Sequence, residues 1–178
     1  MKTRNLLLGL VAAGLLAGAG AAVSVNASSN AAAPAAIAQD AKTFTHEGAG
    51  ITFELPAGWK AEPDGEMVTV SPAEGGVALT FWVPDDEDFD AAKSLGEELA
   101  KQIQDLKFDG EPKADKYNGM DHSAVSGTGK IEGKEIHFSA DILEAKKTLI
   151  VLTIGSTENF QKHSAEYSKL VKSIKRIG

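Results

Sequence analysis

The chain has 178 residues, of which 43% are apolar, 24% charged and 6% aromatic, and its formal net charge is −7. This length corresponds to about one globular domain of ~150 residues, and the composition is neither collagen-like nor that of a disordered chain. Because the sequence holds no cysteine, a disulfide framework, a thiolate metal site and a cysteine nucleophile are excluded.

The N-terminal residues have the order of a secretory signal peptide. Lys2 and Arg4 provide a positive start, residues 6–23 carry no charge, and small residues surround Ala27. We therefore predict a signal peptide over residues 1–27, with a second acceptable cut after Ala38. A retained membrane helix is the alternative, since this stretch is close to the lower limit of about 17 residues for a spanning helix. Its four glycines and six alanines make it only weakly hydrophobic, which favours cleavage.

Export and charge narrow the range of partners. Cleavage after Ala27 removes Lys2, Arg4 and no acidic residue, which lowers the net charge from −7 to −9. An acidic exported chain repels phosphate backbones, so we expect no nucleic-acid partner. We expect a periplasmic or extracellular location and no membrane span once the leader is removed.

A linker and a single domain follow the leader. Residues 28–42 are rich in alanine, contain Pro34 and show no apolar periodicity, which predicts a flexible linker. We assign residues 43–178 to one domain.

The first half of that domain predicts short strands followed by a helix. Alternating apolar residues predict a strand over Ile51–Leu55, a second over Met67–Ser71 and a third over Val77–Val83. A helix is predicted from about Ala91 to Leu106. The residues of its apolar stripe are Ala92, Leu95, Leu99, Ile103 and Leu106.

The second half predicts antiparallel hairpins and a last helix. Asn118-Gly119 is a typical hairpin turn between a weak strand over residues 112–117 and a longer one over 120–130. Alternation predicts the next strand over Ile136–Ile142, and Leu149–Ile154 is so apolar that we expect cover on both faces. The last helix begins near Glu158, with Ser156 or Thr157 as its N-cap.

These elements predict the fold class. About six or seven short strands are joined by hairpin-length turns, which favour antiparallel pairing. With two main helices available to cover the sheet, we predict an α+β fold in the form of a three-layer α/β/α sandwich.

No group of residues in the sequence predicts catalysis or metal binding. Asp121-His122-Ser123 has the letters of a triad, but neighbouring residues of a strand point to opposite faces. Gly127–Lys130 lacks the spacing of a phosphate loop. The histidines make no metal-binding pair; they are His46, His122, His137 and His163. We therefore assign no catalytic, cofactor-binding or metal residues, and we expect no cofactor and no enzyme activity.

Two charged segments leave alternatives open. Asp86, Asp88 and Asp90 match the first ligand positions of a calcium loop, but Ala91 stands where that loop needs glycine. An acidic helix start is the preferred interpretation. Residues 161–178 hold five bases and one acid, which indicates a solvated helix face or a docking surface for an anionic partner.

The run Gly50–Trp59 resembles the opening of PsbP-like domains, whose first strand also ends in a proline that is followed by Gly-Trp. Leu149–Ser156, a helix containing Phe160, and the closing Val171–Ile174 agree in order. The resemblance covers roughly residues 44–176. It implies an α/β/α sandwich around an antiparallel sheet. It also implies membership of a superfamily that includes exported proteins which bind or help assemble other proteins.

The function we expect is that of an exported, non-catalytic domain that binds another protein or assists assembly of an envelope complex. A small-ligand or lipid-binding carrier is the alternative, and it requires a sizeable apolar cavity between sheet and helix. A hydrolase is a third hypothesis, which requires distant polar groups such as His122 and Asp141 to meet in one cleft.

Overall fold

The computed structural model describes residues 42–65, 67–84 and 91–177, without the side chains of residues 91–93. The predicted signal peptide, nearly all of the predicted linker, and the acidic segment 85–90 lie outside these residues.

The described residues form eleven strands and three helices. The strands are β1 (Lys42–His46), β2 (Ile51–Leu55), β3 (Trp59–Asp64), β4 (Met67–Pro72), β5 (Val77–Trp82), β6 (Gln104–Phe108), β7 (Lys113–Tyr117), β8 (Met120–Ile131), β9 (Lys134–Glu144), β10 (Thr148–Gly155) and β11 (Lys175–Arg176). The helices are α1 (Ala91–Ala100), α2 (Thr157–Lys162) and α3 (Ser164–Ser173).

Eight of the strands form one large antiparallel sheet. Its order is β3-β4-β5-β10-β9-β8-β6, and β7 also pairs with β8. β8 is twelve residues long, so β7 pairs along its first part and β6 along its last part. β1, β2 and β11 form a separate small sheet. β10 lies between β5 and β9, and Leu149–Thr153 are buried, which confirms the prediction that this strand is covered on both faces.

Strand alternation places a separate core on each face of the large sheet. On one face, Leu95 and Leu99 of α1 pack with residues of β8, β9 and β10; we call this the α1 face. On the other, residues of the small sheet and α3 pack on β4, β5 and β10; we call this the α3 face. The α1 face presents Ile131, Ile136, Phe138, Ala140, Ile150 and Leu152, and the α3 face presents Val68, Val70, Leu79, Phe81, Leu149 and Val151. An α+β fold with a mostly antiparallel sheet is confirmed.

The helix predicted to end at Leu106 is too long. α1 ends at Ala100, and Gln104–Phe108 form β6. The reason is the close passage of this segment over β8: a Cβ on Gly129 would lie 2.1 Å from the Ile103 Cγ2 atom. At that distance the backbone of β6 can pair with β8, and strand hydrogen bonds replace those that a longer helix would make.

The last helix begins as predicted but is interrupted. The Ser156 hydroxyl caps it by accepting a hydrogen bond from Asn159 N at 3.3 Å. The helix breaks at His163, which is buried and meets the Trp59 ring edge-on at 5.9 Å. β1 and β3 are absent from the predicted elements because their residues are mostly exposed, so neither shows a clear apolar alternation.

Candidate functional site

The α3 face changes from apolar to polar along the large sheet. Ala124 of β8 pairs with Asp141 of β9, and Ser139 pairs with Thr153 of β10. Paired residues of antiparallel strands share a face, so these polar groups lie on the face that carries the α3 core. They stand at its boundary with solvent.

Asp141 is the centre of this boundary. Its Oδ1 lies 2.9 Å from His122 Nε2, and its Oδ2 accepts a hydrogen bond from Ser139 Oγ at 3.0 Å. The side chains of His122 and Asp141 are only 15% and 18% exposed. These contacts are therefore partly shielded from water and stronger than the same contacts on an open surface.

Two tyrosines complete the group. Tyr117 of β7 places its ring 5.7 Å from that of His122. Tyr167 comes from α3, and the Asp141, Thr153 and Ser139 side chains all influence the pKa of its phenol. We call the set of Tyr117, His122, Ser139, Asp141, Thr153 and Tyr167 the Asp141 cluster.

Both phenols are held in the protonated form. Burial raises the pKa of Tyr167, and the Asp141 carboxylate raises it further, while the Thr153 and Ser139 side chains act in the opposite direction. Burial also raises the pKa of Tyr117, and the charges of Asp141 and Tyr167 raise it further by smaller amounts. A neutral phenol at physiological pH is a hydrogen-bond donor and a poor nucleophile.

The cluster has unused hydrogen-bonding capacity. The Tyr117 hydroxyl and Thr153 Oγ1 are both buried, and neither makes a hydrogen bond of good geometry. The influence of Thr153 on the pKa of Tyr167 shows that these groups are nevertheless close. Buried polar atoms of this kind are commonly satisfied by ordered water.

The order of the groups differs from that of a hydrolytic triad. In such a triad the histidine lies between the nucleophile and the acid. Here Asp141 lies between Ser139 and His122, so the serine hydroxyl is hydrogen-bonded to a carboxylate. What this arrangement does in the fold is tie the side chains of β8 to those of β9.

The other sequence candidates lie apart from this cluster. Asp121 is exposed and pairs with Lys116 at 2.6 Å, a hydrogen bond that lowers the pKa of Asp121. Asp121 and Ser123 lie on the face opposite His122, as the alternation predicts. Gly127–Lys130 is an internal part of β8. His46 and His163 are buried in separate places, and His137 is exposed.

Two open grooves continue the polar boundary along the sheet. The smaller, of about 150 Å³, is lined by Ser139, Ser126 and the segment that carries Asp109, Glu111 and Lys113. The larger, of about 560 Å³, lies towards the β8–β9 turn; its charged and polar lining residues are Asp105, Lys107, Thr128, Lys130, Glu135 and His137. We call the two grooves together the polar face.

Charges of both signs line the polar face. Lys130 binds Asp105 at 2.8 Å, which lowers the pKa of Asp105 and raises that of Lys130. Ser126 donates a hydrogen bond to Asp109 Oδ2 at 3.0 Å. Within the described ranges, Lys107 and Glu135 form no ion pair. Their charges face the solvent.

The described residues contain neither a metal-binding group nor a membrane-spanning helix. No three or more histidine, cysteine or acidic side chains there are arranged to hold a metal ion. No helix in that part of the chain has the length and apolar character needed to cross a membrane.

Sequence reasoning found only part of the Asp141 cluster. It named His122 and Asp141 as groups that a hydrolase would need to bring together, and the structure does so. It missed Ser139, Thr153 and both tyrosines. One signal was available: His137, Ser139 and Asp141 alternate with the apolar residues of β9, so a polar strip had to face away from the α1 core.

Comparison with known proteins bears on the fold. No protein family and no curated protein sequence matches the chain. The cyanobacterial PsbP, CyanoP, from Synechocystis is similar in structure with a TM-score of 0.56 and 12% identity, over 82% of this chain and 98% of its own. The chain has a PsbP-like fold. This confirms the resemblance carried by Gly50–Trp59.

Two further solved structures resemble this PsbP-like chain more distantly. LpqN of Mycobacterium tuberculosis, described as involved in cell envelope biogenesis, has a TM-score of 0.48 and 12% identity over 78% of this chain and 86% of its own. A Pseudomonas aeruginosa protein of unknown function, PA94, has a TM-score of 0.48 and 14% identity over 75% and 94%.

Proposed function

We propose that this chain is an exported, non-catalytic PsbP-like domain, built as a three-layer sandwich, that binds another protein and so assists assembly of an envelope complex. The N-terminal signal pattern supports export to the periplasm or outside the cell. The observation that carries the binding role is the polar face, the part of the α3 face that the small sheet and α3 leave uncovered.

The polar face has the properties of a protein-binding surface. It is concave and carries side chains of both charges, with Lys107 and Glu135 free to pair with a partner. Complementary charges of this kind select a partner and speed association. The partner that fits is a folded protein surface with acidic and basic groups of its own, since neither charge dominates the grooves.

The cores support this choice over a carrier of small apolar ligands. Large side chains occupy the space between the sheet and its covering layers, including Phe53 and Phe81, whose rings stack at 4.5 Å. The two grooves of the polar face are instead open and lined largely by polar residues. Apolar ligands favour enclosed pockets with mostly hydrophobic linings.

Site-specific photocrosslinking tests the proposal. A photoreactive amino acid replaces His137 on the polar face, and the protein is crosslinked in the envelope of the producing cell. We expect a defined adduct whose partner mass spectrometry identifies. Adding Lys107→Glu and Glu135→Lys inverts both free charges, and we expect the adduct to fall by about tenfold because attractive pairs become repulsive.

The matched control places the same photoreactive group at Glu62, an exposed residue on edge strand β3. The same adduct from position 62, or an unchanged adduct after the double charge inversion, would contradict the proposal. Absence of any adduct from position 137 would contradict it as well.

A hydrolase remains the second candidate because one observation favours it. His122 and Asp141 meet at 2.9 Å, which is the geometry of a base and its orienting acid. We rank the hydrolase second because Ser139 donates its hydrogen bond to the Asp141 carboxylate and not to His122. Ester hydrolysis by the purified protein that is lost in His122→Asn, with folding retained, would favour the hydrolase over the binding domain.

A further inference from the structure

A group of basic side chains lies at the far end of β9 from the β8–β9 turn. It comprises residues of the β9–β10 turn, the end of α3 and β11, all of them exposed. We call it the basic corner. Its members are Lys146, Lys147, Lys172, Lys175 and Arg176.

Backbone contacts hold the three segments together. Lys146 N donates to Ala49 O at 3.1 Å, and Ile177 N donates to Gly50 O at 3.0 Å. The Arg176 guanidinium donates to the backbone carbonyl of Glu144. The end of α3 is fixed by the Asn118 amide, which donates to the carbonyls of Lys172 and Ile174. The backbone positions of the basic residues are therefore fixed relative to one another before any partner binds.

The positive charge of this corner is not neutralised by its neighbours. None of the five cations forms an ion pair within the part of the chain that the structure describes. Three carboxylates lie near the corner. Glu47 lines the same groove as Lys146 and Arg176, Glu144 contacts Thr148, and Asp121, which pairs with Lys116, feels the charge of Arg176. A net positive corner in a chain of net charge −7 indicates segregation of charge.

An exposed apolar side chain stands among these cations. Ile177 is 43% exposed and lines a shallow groove of about 340 Å³ together with Lys146 and Arg176. A large aliphatic side chain beside cationic side chains can enter the boundary between lipid headgroups and acyl chains while the cations contact phosphates.

We propose that the basic corner is a peripheral membrane-binding surface that takes anionic phospholipid headgroups. Four of its five cations are lysines, which bind phosphate as point charges and need no fixed geometry. The one arginine, Arg176, already donates to a backbone carbonyl. Its guanidinium is therefore less available for a bidentate hydrogen bond to a carboxylate. These features favour a lipid surface over an acidic protein segment. The inference is independent of the polar face and of its protein partner.

Vesicle cosedimentation tests the surface. The protein is recovered from the envelope of a producing cell, so that its N-terminus is the one the cell leaves, and is mixed with phosphatidylcholine vesicles with or without phosphatidylglycerol. We expect binding only to the anionic vesicles, and a decrease as salt shortens the electrostatic range to about 8 Å. Lys146→Gln, Lys147→Gln and Lys175→Gln together should weaken binding by about a hundredfold, at roughly fivefold for each lysine.

The control triple variant is Lys60→Gln, Lys101→Gln and Lys134→Gln, which removes the same charge at exposed positions outside both the basic corner and the polar face and should bind as the unmodified protein does. Ile177→Ser should weaken binding by about fivefold and leave its salt dependence unchanged. Equal binding of the two triple variants, or equal binding to neutral vesicles, would overturn the proposal. So would a result in which inorganic phosphate or poly-glutamate occupies the corner and anionic vesicles do not.

Discussion

The two faces of the large sheet are completed in different ways. On the α1 face, α1 and the following segment close a core made of aliphatic and aromatic side chains. On the α3 face, a small sheet and α3 cover only the part formed by β4, β5 and β10, and the Asp141 cluster marks where that cover ends. Beyond it the sheet is open.

This difference separates stability from recognition. Substitutions in a packed core lose packing contacts. Where a core is bordered by hydrogen-bonded polar groups, the sheet can continue beyond them as a solvated surface. The polar groups at the boundary are held by a carboxylate at their centre. The α3 face is therefore where we place the candidate binding surface.

The largest expected effect is on the apolar part of the α3 face. Phe81→Ala removes a buried ring that stacks on Phe53, and we expect the free energy of unfolding to fall by about 3–5 kcal/mol. Phe138→Ala on the α1 face should cost a similar amount, since Phe138 is also buried. Urea denaturation measures both. A much smaller loss for Phe138→Ala would show that the α1 face is loosely packed and would remove the basis of the comparison.

The next effect concerns the close approach of Ile103 and Gln104, which follow α1, to β8. A methyl group on Gly129 would overlap Ile103 and approach the Gln104 carbonyl oxygen to 3.0 Å, so Gly129→Ala should destabilise the fold by about 1–3 kcal/mol through overpacking.

Gly96→Ala is the matched control on the same face. Gly96 lies within α1, and its nearest neighbour would be the Phe108 ring at 3.8 Å. This variant should stabilise the protein by up to about 1 kcal/mol because alanine favours the helix. Chemical denaturation that ranks Gly129→Ala as the more stable variant would show that the segment does not cross β8 at this distance.

A smaller effect is expected at the boundary of the α3 face. Asp141→Ala leaves His122 and Ser139 without their acceptor, which should lower the free energy of unfolding by about 1–3 kcal/mol. We expect the lower end of this range because water reaches the partly exposed His122 and Asp141 side chains. Asp121→Ala serves as control, because it breaks only an exposed ion pair with Lys116 and should leave the denaturation midpoint unchanged. Equal effects of the two substitutions would mean that Asp141 does not organise the boundary.

The smallest effect appears only at alkaline pH. Burial and then Asp141 raise the pKa of Tyr167, and burial raises that of Tyr117. The folded state therefore holds these protons more tightly than the unfolded state does, so this contribution to stability is complete below about pH 10 and is lost as pH rises above it.

These are the two tyrosines of the chain, so an absorbance titration reports on them alone. Asp141→Asn removes a charge that raises both pKa values and should shift their ionisation to lower pH. Ionisation of both phenols at the pH of free tyrosine in the folded protein would contradict the buried boundary.

Local patterns predicted most of the sheet. Ile51–Leu55 is a strand with the predicted bounds, and Asn118 and Gly119 take the positive φ angles, 46° and 80°, that such a hairpin turn needs. The predicted end of the helix at Leu106 was wrong, because the apolar periodicity of a segment does not reveal that part of it pairs with a strand elsewhere in the chain. The Asp141 cluster joins residues from β7, β8, β9, β10 and α3, and only His122 and Asp141 were singled out in advance.

The amino-acid sequence by itself determined the alternation of the strands, the positions of the turns and the buried character of β10, because each depends on residues within a few positions of one another. The tertiary structure alone decided where α1 gives way to β6, which polar residues gather around Asp141, and which lysines share a corner with Ile177. Those outcomes depend on contacts between segments distant in the chain, and such contacts are set by the packing of the whole sheet.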